Sequence, residues 1–313
     1  MAGWGSQVAL MIMSKGLIIL AYHRVLKKPD PLRTGDIPLD CFSVQMQTLA
    51  RYFNVLPLAD AVERLRNGSL PWRAVSITFD DGYEDNYSLA WPVLRKLKLP
   101  ATIFVASGYL DGGRMWNDTV IEAIHRIPGD VLDLNDLGLG CYDASSEVLR
   151  AAAVETILQR MKYSAPDVRD NWANALAERT SSALPAGLML SSEQVAELSR
   201  GGIEIGAHTV MHPILKVASE REAREEIFNG KRRLEEITGQ PVRSFAYPNG
   251  KPGTDYSDRD VKLVGSAGFD CAVSTTIDVA RSSSDNLQLP RFSPWTESPA
   301  RFGLRLMRMH LQS

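Results

Sequence analysis

The sequence predicts an α/β fold of βα units around a parallel sheet, and three observations carry that reading. Short apolar runs alternate with amphipathic segments, the rhythm of strand and crossover helix. Each run is brief and rich in Val, Ile or Phe, as strands buried on both faces tend to be. The chain has 313 residues, 44% hydrophobic and 23% charged, which is ordinary globular composition and enough for one large core. A formal net charge of −2 gives no basis for bulk attraction to nucleic acid, and no nucleic-acid partner is expected.

Taken in order, residues 8–13 and 17–20 are apolar, but Ser14-Lys15-Gly16 divides them. A membrane helix needs about 20 apolar residues in a row. A signal peptide carries positive charge ahead of its apolar stretch, and no Lys or Arg precedes Lys15. Residues 1–14 are therefore expected to be extended or disordered, residues 15–313 to form the folded domain, and the protein to be cytoplasmic. Strands are predicted at 17–21, 74–79, 101–105, 203–207, 244–247 and 271–274. Phe42, Met46, Leu49 and Phe53 recur at helical spacing. The segment 219–238 opens with the capping pair Ser219 and Glu222 and stops at Gly239. Its charges, among them Arg221, Glu225, Lys231 and Glu235, read as a solvated outer face. From 108 to about 190 the strand rhythm gives way to Ala-rich helical pieces, 146–161 and 169–179, read as a helical insertion that could serve as lid or substrate platform.

Cys41, Cys141 and Cys271 are far apart and odd in number, which indicates neither a disulfide framework nor a thiolate zinc site. They read as small buried hydrophobes. On the last helix Arg301, Arg305 and Arg308 share one face, while Phe302, Leu306 and Met309 share another. That amphipathicity suits packing on the barrel, or peripheral contact with an anionic membrane.

Two clusters could do chemistry. The run 74–79 leads straight into Asp80-Asp81-Gly82-Tyr83, and in parallel α/β barrels the residues after a strand's carboxyl end face the active site. Two adjacent carboxylates repel unless a cation or proton offsets them. The plain alternative is a turn in which Asp81 caps the following helix. The second cluster, His208-Thr209-Val210-Met211-His212, follows the run 203–207. Its spacing can place two imidazoles on one side of a helical turn, although histidines also serve as satisfied core residues. An Asp-His-His set leaves metal positions open for water and substrate.

With these residues the sequence resembles the NodB-type polysaccharide deacetylases. The likeness rests on Thr78-Phe79-Asp80-Asp81-Gly82-Tyr83, on His208 to His212, and on Phe245-Ala246-Tyr247-Pro248-Asn249-Gly250, with Leu99 to Val105 resembling the strand after the first motif. The resemblance implies a distorted (β/α)7-type barrel, the NodB homology domain, acting on a carbohydrate that contains an N-acetylated amino sugar. It implies Asp80 as general base and Asp81, His208 and His212 as ligands of a divalent transition metal, zinc above all. Asn249, through its backbone N–H, and Tyr247 would serve the oxyanion or substrate. His23, in Tyr22-His23-Arg24, resembles the N-terminal acid histidine of the poly-N-acetylglucosamine deacetylase branch; His310 fits the family's C-terminal histidine poorly. Ala246 stands where the family often has an arginine that pairs with the base, so Arg291, with Arg24 as second candidate, is expected to supply that charge. Tyr83, Trp116, Tyr247 and Trp295 are candidate sugar platforms. Two rival readings remain: a deacylase of a lipid-linked sugar or other amide, and a carbohydrate-binding barrel without turnover.

Overall fold

The computed structural model describes residues 16–294 and 298–312. The segment 1–14 and Trp295 lie outside the described residues. Strands β1 (Leu17–Tyr22), β4 (Asn54–Val55), β5 (Ala74–Phe79), β6 (Thr102–Val105), β9 (Glu204–Ala207), β10 (Ser244–Ala246) and β11 (Cys271–Val273) form one parallel sheet in the order β1-β5-β6-β9-β10-β11, with β4 paired to β5. Between them lie the short pair β2 (Val25–Leu26) and β3 (Ile37–Pro38), and the hairpin β7 (Val131–Leu134) and β8 (Gly140–Asp143).

An irregular segment joins the two edges of the sheet. The Leu289 N–H donates to the Ala272 carbonyl and the Ser274 N–H to the Leu289 carbonyl, both at 2.8 Å. Three residues later the Phe292 N–H donates to the Ile19 carbonyl at 2.8 Å, and the Ala21 N–H returns to the Phe292 carbonyl at 2.9 Å. Residues 289–292 thus bond β11 at one end and β1 at the other, curling the sheet into a distorted barrel. Such a segment lacks a strand's regular pattern and escapes a search for apolar runs.

Side chains alternate across the strands with period two. Leu17 and Ile19 face inward with Phe104, Ala246, Val273 and Leu289, and helix α2 (Leu58–Arg66) adds Leu58, Val62 and Leu65 to the same cluster. Ile18, Leu20 and Tyr22 face the other way, into a layer shared with Phe42 and Met46 of α1 (Leu39–Tyr52), Leu94 of α3 (Trp91–Leu97) and further helices.

Residues between β6 and β9 form α4 (Trp116–Arg126), the β7–β8 hairpin, α5 (Glu147–Lys162), α6 (Pro166–Glu178) and α7 (Ser192–Arg200). Val120, Ile124, Leu132, Leu134, Ile157, Met161 and Leu176 make an apolar cluster of their own there. The hairpin departs from the all-helical expectation. Its strands are four residues each and its sequence (VLDLNDLGLGCYD) hides the pair behind a left-handed Gly138 turn.

Helix α8 (Glu220–Thr238) begins and ends where the sequence indicates: Ser219 and Glu222 form the capping box and Gly239 adopts φ 65°. Its charged face is less idle than expected. Lys231 donates to the carbonyls of Ala267 and Gly268, and Glu235 accepts the Val242 N–H. After α9 (Asp258–Ser266), the last helix α10 (Pro299–Gln312) buries Phe302 and Leu306 in the layer beneath α1, leaving Arg301, Arg305 and Arg308 outside. Phe302 and Leu306 thus make the packing contact with the barrel that the amphipathic pattern suits. Of the cysteines only Cys271 is buried; Cys141 is exposed and Cys41 half-buried, because β8 and the outer side of α1 face solvent at those positions. No helix among the described residues is long and apolar enough to cross a membrane.

Candidate active site

Five strand ends meet at one cavity of about 290 Å³. His23 follows β1, Asp80 and Asp81 follow β5, His208 follows β9, Asn249 follows β10 and Thr275 follows β11. A parallel sheet makes this convergence automatic, since every strand points the same way and all carboxyl ends share a rim.

The two aspartates are adjacent yet have separate partners. The Asp80 carboxylate takes two hydrogen bonds of 2.7 Å from the Arg291 guanidinium, which is only 2% exposed. The Arg291 Nε donates to the Ser274 carbonyl at 3.0 Å and Nη1 reaches Thr78 Oγ1 at 3.3 Å, so the fork is fixed from three sides. Burial alone would raise Asp80, but the charge and hydrogen bonds of Arg291 hold it below the usual carboxylate range. Arg24 is engaged elsewhere, since it pairs with Asp85 at 2.7 Å and lies over the Tyr83 ring. The cation missing at Ala246 therefore comes from Arg291.

Asp81 turns away from Asp80 because its backbone is left-handed, φ 75°, followed by Gly82 at φ 84°. A side chain at Gly82 would meet Val105 Cγ1 at 3.0 Å, so both conformation and space demand glycine. Asp81 caps no helix. Its Oδ1 lies 3.4 Å from His208 Nε2 and 3.5 Å from His212 Nε2. Against burial, the neighbouring imidazoles of His208, His212 and His23 keep Asp81 strongly ionised. Burial and the neighbouring His208 push His212 down to about 3, leaving its ring neutral.

The histidine pair does not sit on a helical turn, contrary to the spacing argument. Residues 208–212 form a bent loop with Thr209 at φ 64° and His212 at φ 51°. Several anchors hold it. Ser107 and Gly108 donate backbone N–H groups to the carbonyls of Thr209 and Val210 at 3.2 and 2.8 Å. Glu226, on α8, accepts from the N–H groups of both Val210 and Met211 at 2.8 Å. Gly230 of the same helix lets the loop approach, since a Cβ there would meet the Thr209 backbone at 2.9 Å.

The donor set fits a divalent transition ion. The ligand atoms of Asp81, His208 and His212 lie within 4.8 Å of one another, and this is the one such group among the described residues. His208 Nδ1 lies 2.7 Å from the Ala246 carbonyl, which fixes Nδ1 as the protonated nitrogen and turns the Nε2 lone pair toward Asp81 and His212.

The other expected residues divide. His23 lines the cavity, and its carbonyl accepts from Asn86 Nδ2 at 2.8 Å. Asn86 starts a π-helical turn, Asn86–Ala90, of a kind that often marks functional sites. Asp36 lies near His23; burial raises it to about 6 against the pull of His23, Arg33 and Arg24. Asn249 lines the cavity in a left-handed conformation, φ 60°. Tyr247 does not join it, since its ring stacks on Tyr256 at 3.8 Å and its hydroxyl donates to the Leu287 carbonyl. Tyr83 is buried with its hydroxyl on Asp118, whereas Trp116 does line the cavity. His310 is buried against Phe53, away from the site. Sequence reading missed Asp36, Asn86 and Glu226, which no motif marks, as well as Lys162 and Arg169 in the cavity wall.

Residues 67–272, more than half of the chain, match the polysaccharide deacetylase family. The chain belongs to the polysaccharide deacetylases. Hydrolysis of a carbon–nitrogen bond other than a peptide bond is the chemistry of that family, in agreement with the motifs. Among curated relatives, the poly-beta-1,6-N-acetyl-D-glucosamine N-deacetylase of Staphylococcus aureus is 25% identical over 212 residues, 60% of this chain and 70% of that protein. Its Staphylococcus epidermidis counterpart is 33% identical over 114 residues, 32% of this chain and 39% of that protein. The fold is shared with solved deacetylases. The Streptococcus pyogenes deacetylase PplD in complex with acetate superposes with a TM-score of 0.61 at 21% identity, covering 94% of this chain and 98% of that one. IcaB from Ammonifex degensii gives 0.60 at 23% identity, covering 92% and 97%.

Proposed function

We propose that this polysaccharide deacetylase removes N-acetyl groups from amino sugars of a polysaccharide or its oligosaccharide precursor, using a divalent transition metal, most simply zinc, held by Asp81, His208 and His212. The observation that carries the reading is the division of labour between adjacent carboxylates: Asp81 faces two histidines while Asp80 is held ionised by Arg291. When bound, such an ion polarises the acetyl carbonyl and acidifies water.

The chain's own groups supply the rest. Asp80 accepts the proton of the attacking water, and Arg291 keeps it a carboxylate and fixes its direction. The Asn249 backbone N–H faces the carbonyl oxygen as negative charge grows there. His23, which lines the same cavity, gives a proton to the departing amine, and the nearby Asp36 carboxylate steadies the imidazolium. Arg291 also gives Asp80 the cation that Ala246 cannot supply, which favours turnover over a barrel that only binds.

The test is acetate release from N-acetylglucosamine oligomers, with and without a chelator, for wild type and Asp80→Asn. Chelation should abolish turnover reversibly, and Asp80→Asn should lower kcat by about 100- to 10,000-fold. Turnover indifferent to both would remove the mechanism.

A further inference from the structure

The cavity wall contributed by α6 holds a charge that the proposed reaction does not use. Arg169 is 6% exposed and lines the cavity alongside the metal-ligating residues. Its guanidinium lies over the Trp116 ring, 5.0 Å from the ring centroid. Its Nε is buried with no hydrogen-bond partner, and no ion pair of Arg169 exists among the described residues. The other charges around the cavity are committed: Asp80 to Arg291, Asp81 to the histidines, Lys162 to Asp255 at 3.7 Å. The neighbouring Asp170 is exposed and forms no ion pair with it.

A buried guanidinium without a counter-charge is costly unless something that arrives later supplies one. The free Nε–H belongs to the side edge of the fork, the edge that binds planar or tetrahedral oxyanions with two parallel hydrogen bonds. The position is in the same cavity as Asp80 and His23, so whatever it grips is part of the reacting molecule or covalently next to it.

We infer that Arg169, braced by Trp116, is a subsite for an acidic group, a carboxylate or a phosphate, on the saccharide next to the residue that loses its acetyl group. This inference rests on the deacetylase reading and narrows its substrate class to acidic, N-acetylated polymers such as those alternating uronic acid with amino sugar or linked by phosphodiesters.

The experiment compares kcat/KM for acetate release by wild type, Arg169→Gln and Arg169→Lys on three probes: neutral N-acetylglucosamine oligomers, hyaluronan oligosaccharides, and phosphodiester-linked N-acetylglucosamine oligosaccharides. The two acidic probes distinguish carboxylate from phosphate. Wild type should favour one acidic probe over the neutral one by about 10-fold or more, the weight of a charge-assisted pair. Arg169→Gln should erase that preference, mainly through KM, and leave the neutral probe within about twofold, while Arg169→Lys keeps part of it. Calorimetric binding of the same oligosaccharides to chelated protein separates the two proposals. Acidic binding weakened by Arg169→Gln, without acetate release from any probe, keeps the subsite and sinks the deacetylase reading. Acetate release from neutral oligomers with no acidic preference in rate or binding, or a Gln variant that slows all probes alike, overturns the subsite.

Discussion

On the floor of the cavity each charge faces another. Asp80 meets Arg291 through two bonds of 2.7 Å, and Asp81 lies between two imidazoles. On the wall, Arg169 is equally buried and faces nothing of opposite sign within hydrogen-bonding reach. The floor hangs from the ends of a parallel sheet; the wall belongs to helices with their own apolar cluster. A site complete in itself suits chemistry that is the same for every substrate. A site left incomplete suits recognition, because its missing partner must come from outside.

The sharpest way to break that contrast is to empty the floor. Asp81→Ala or His208→Ala should reduce bound metal from one ion per chain to near none and bring acetate release to background, read by elemental analysis beside the activity assay. Retained metal would mean that the floor is not a metal site. Arg291→Met comes next. Leaving Asp80 buried and unpaired should cost about 3–5 kcal/mol in denaturant unfolding, as well as most of the activity. Adding Asp80→Asn should return much of that stability but none of the turnover. A single variant as stable as wild type would show that the pair is not the strut described.

Smaller effects refine the picture. Glu226→Ala frees the loop that presents His208 and His212, and should weaken metal affinity by about 10- to 100-fold while the fold persists. Unchanged affinity would assign the loop's shape to Gly108 and Gly230 alone. Asp36 tests the boundary between floor and wall. Its pKa is raised to about 6, so the folded state binds the extra proton and stability falls as pH rises from about 4 to 6. The penalty is fully present above pH 6. Asp36→Asn should therefore stabilise the protein by about 1–2 kcal/mol at pH 7.5 and by almost nothing at pH 4, while lowering activity. Equal melting shifts at both pH values would contradict that origin. The mildest change, Ser219→Ala, removes the α8 cap and should cost about 1 kcal/mol with kcat unaltered.

The parts legible in the sequence were those whose signal is local. The strands β5 and β9 end on Asp80-Asp81 and His208, so apolar run and reactive side chain are contiguous and the site's address follows from the sheet's direction. The capping box and glycine stop of α8 are equally local. Arg291 could be named as a candidate only because a cation was missing at Ala246. The histidine spacing suggested a helical turn, yet the pair meets through left-handed backbone at Thr209 and His212. Tyr247 sat in the right motif but on the wrong side of its strand end, packed on Tyr256.

By itself, then, the sequence determined the kind of chemistry: which residue types stand at strand ends, and therefore a hydrolytic family and a cluster of groups able to hold a metal. Tertiary structure alone decided which charges are satisfied, because Asp80 and Arg291 are 211 positions apart and find each other only when residues 289–292 bridge β11 to β1. It likewise decided that Arg169 is not. Burial and pairing are properties of three-dimensional neighbours, and no local pattern of residues encodes which buried charge is left without one.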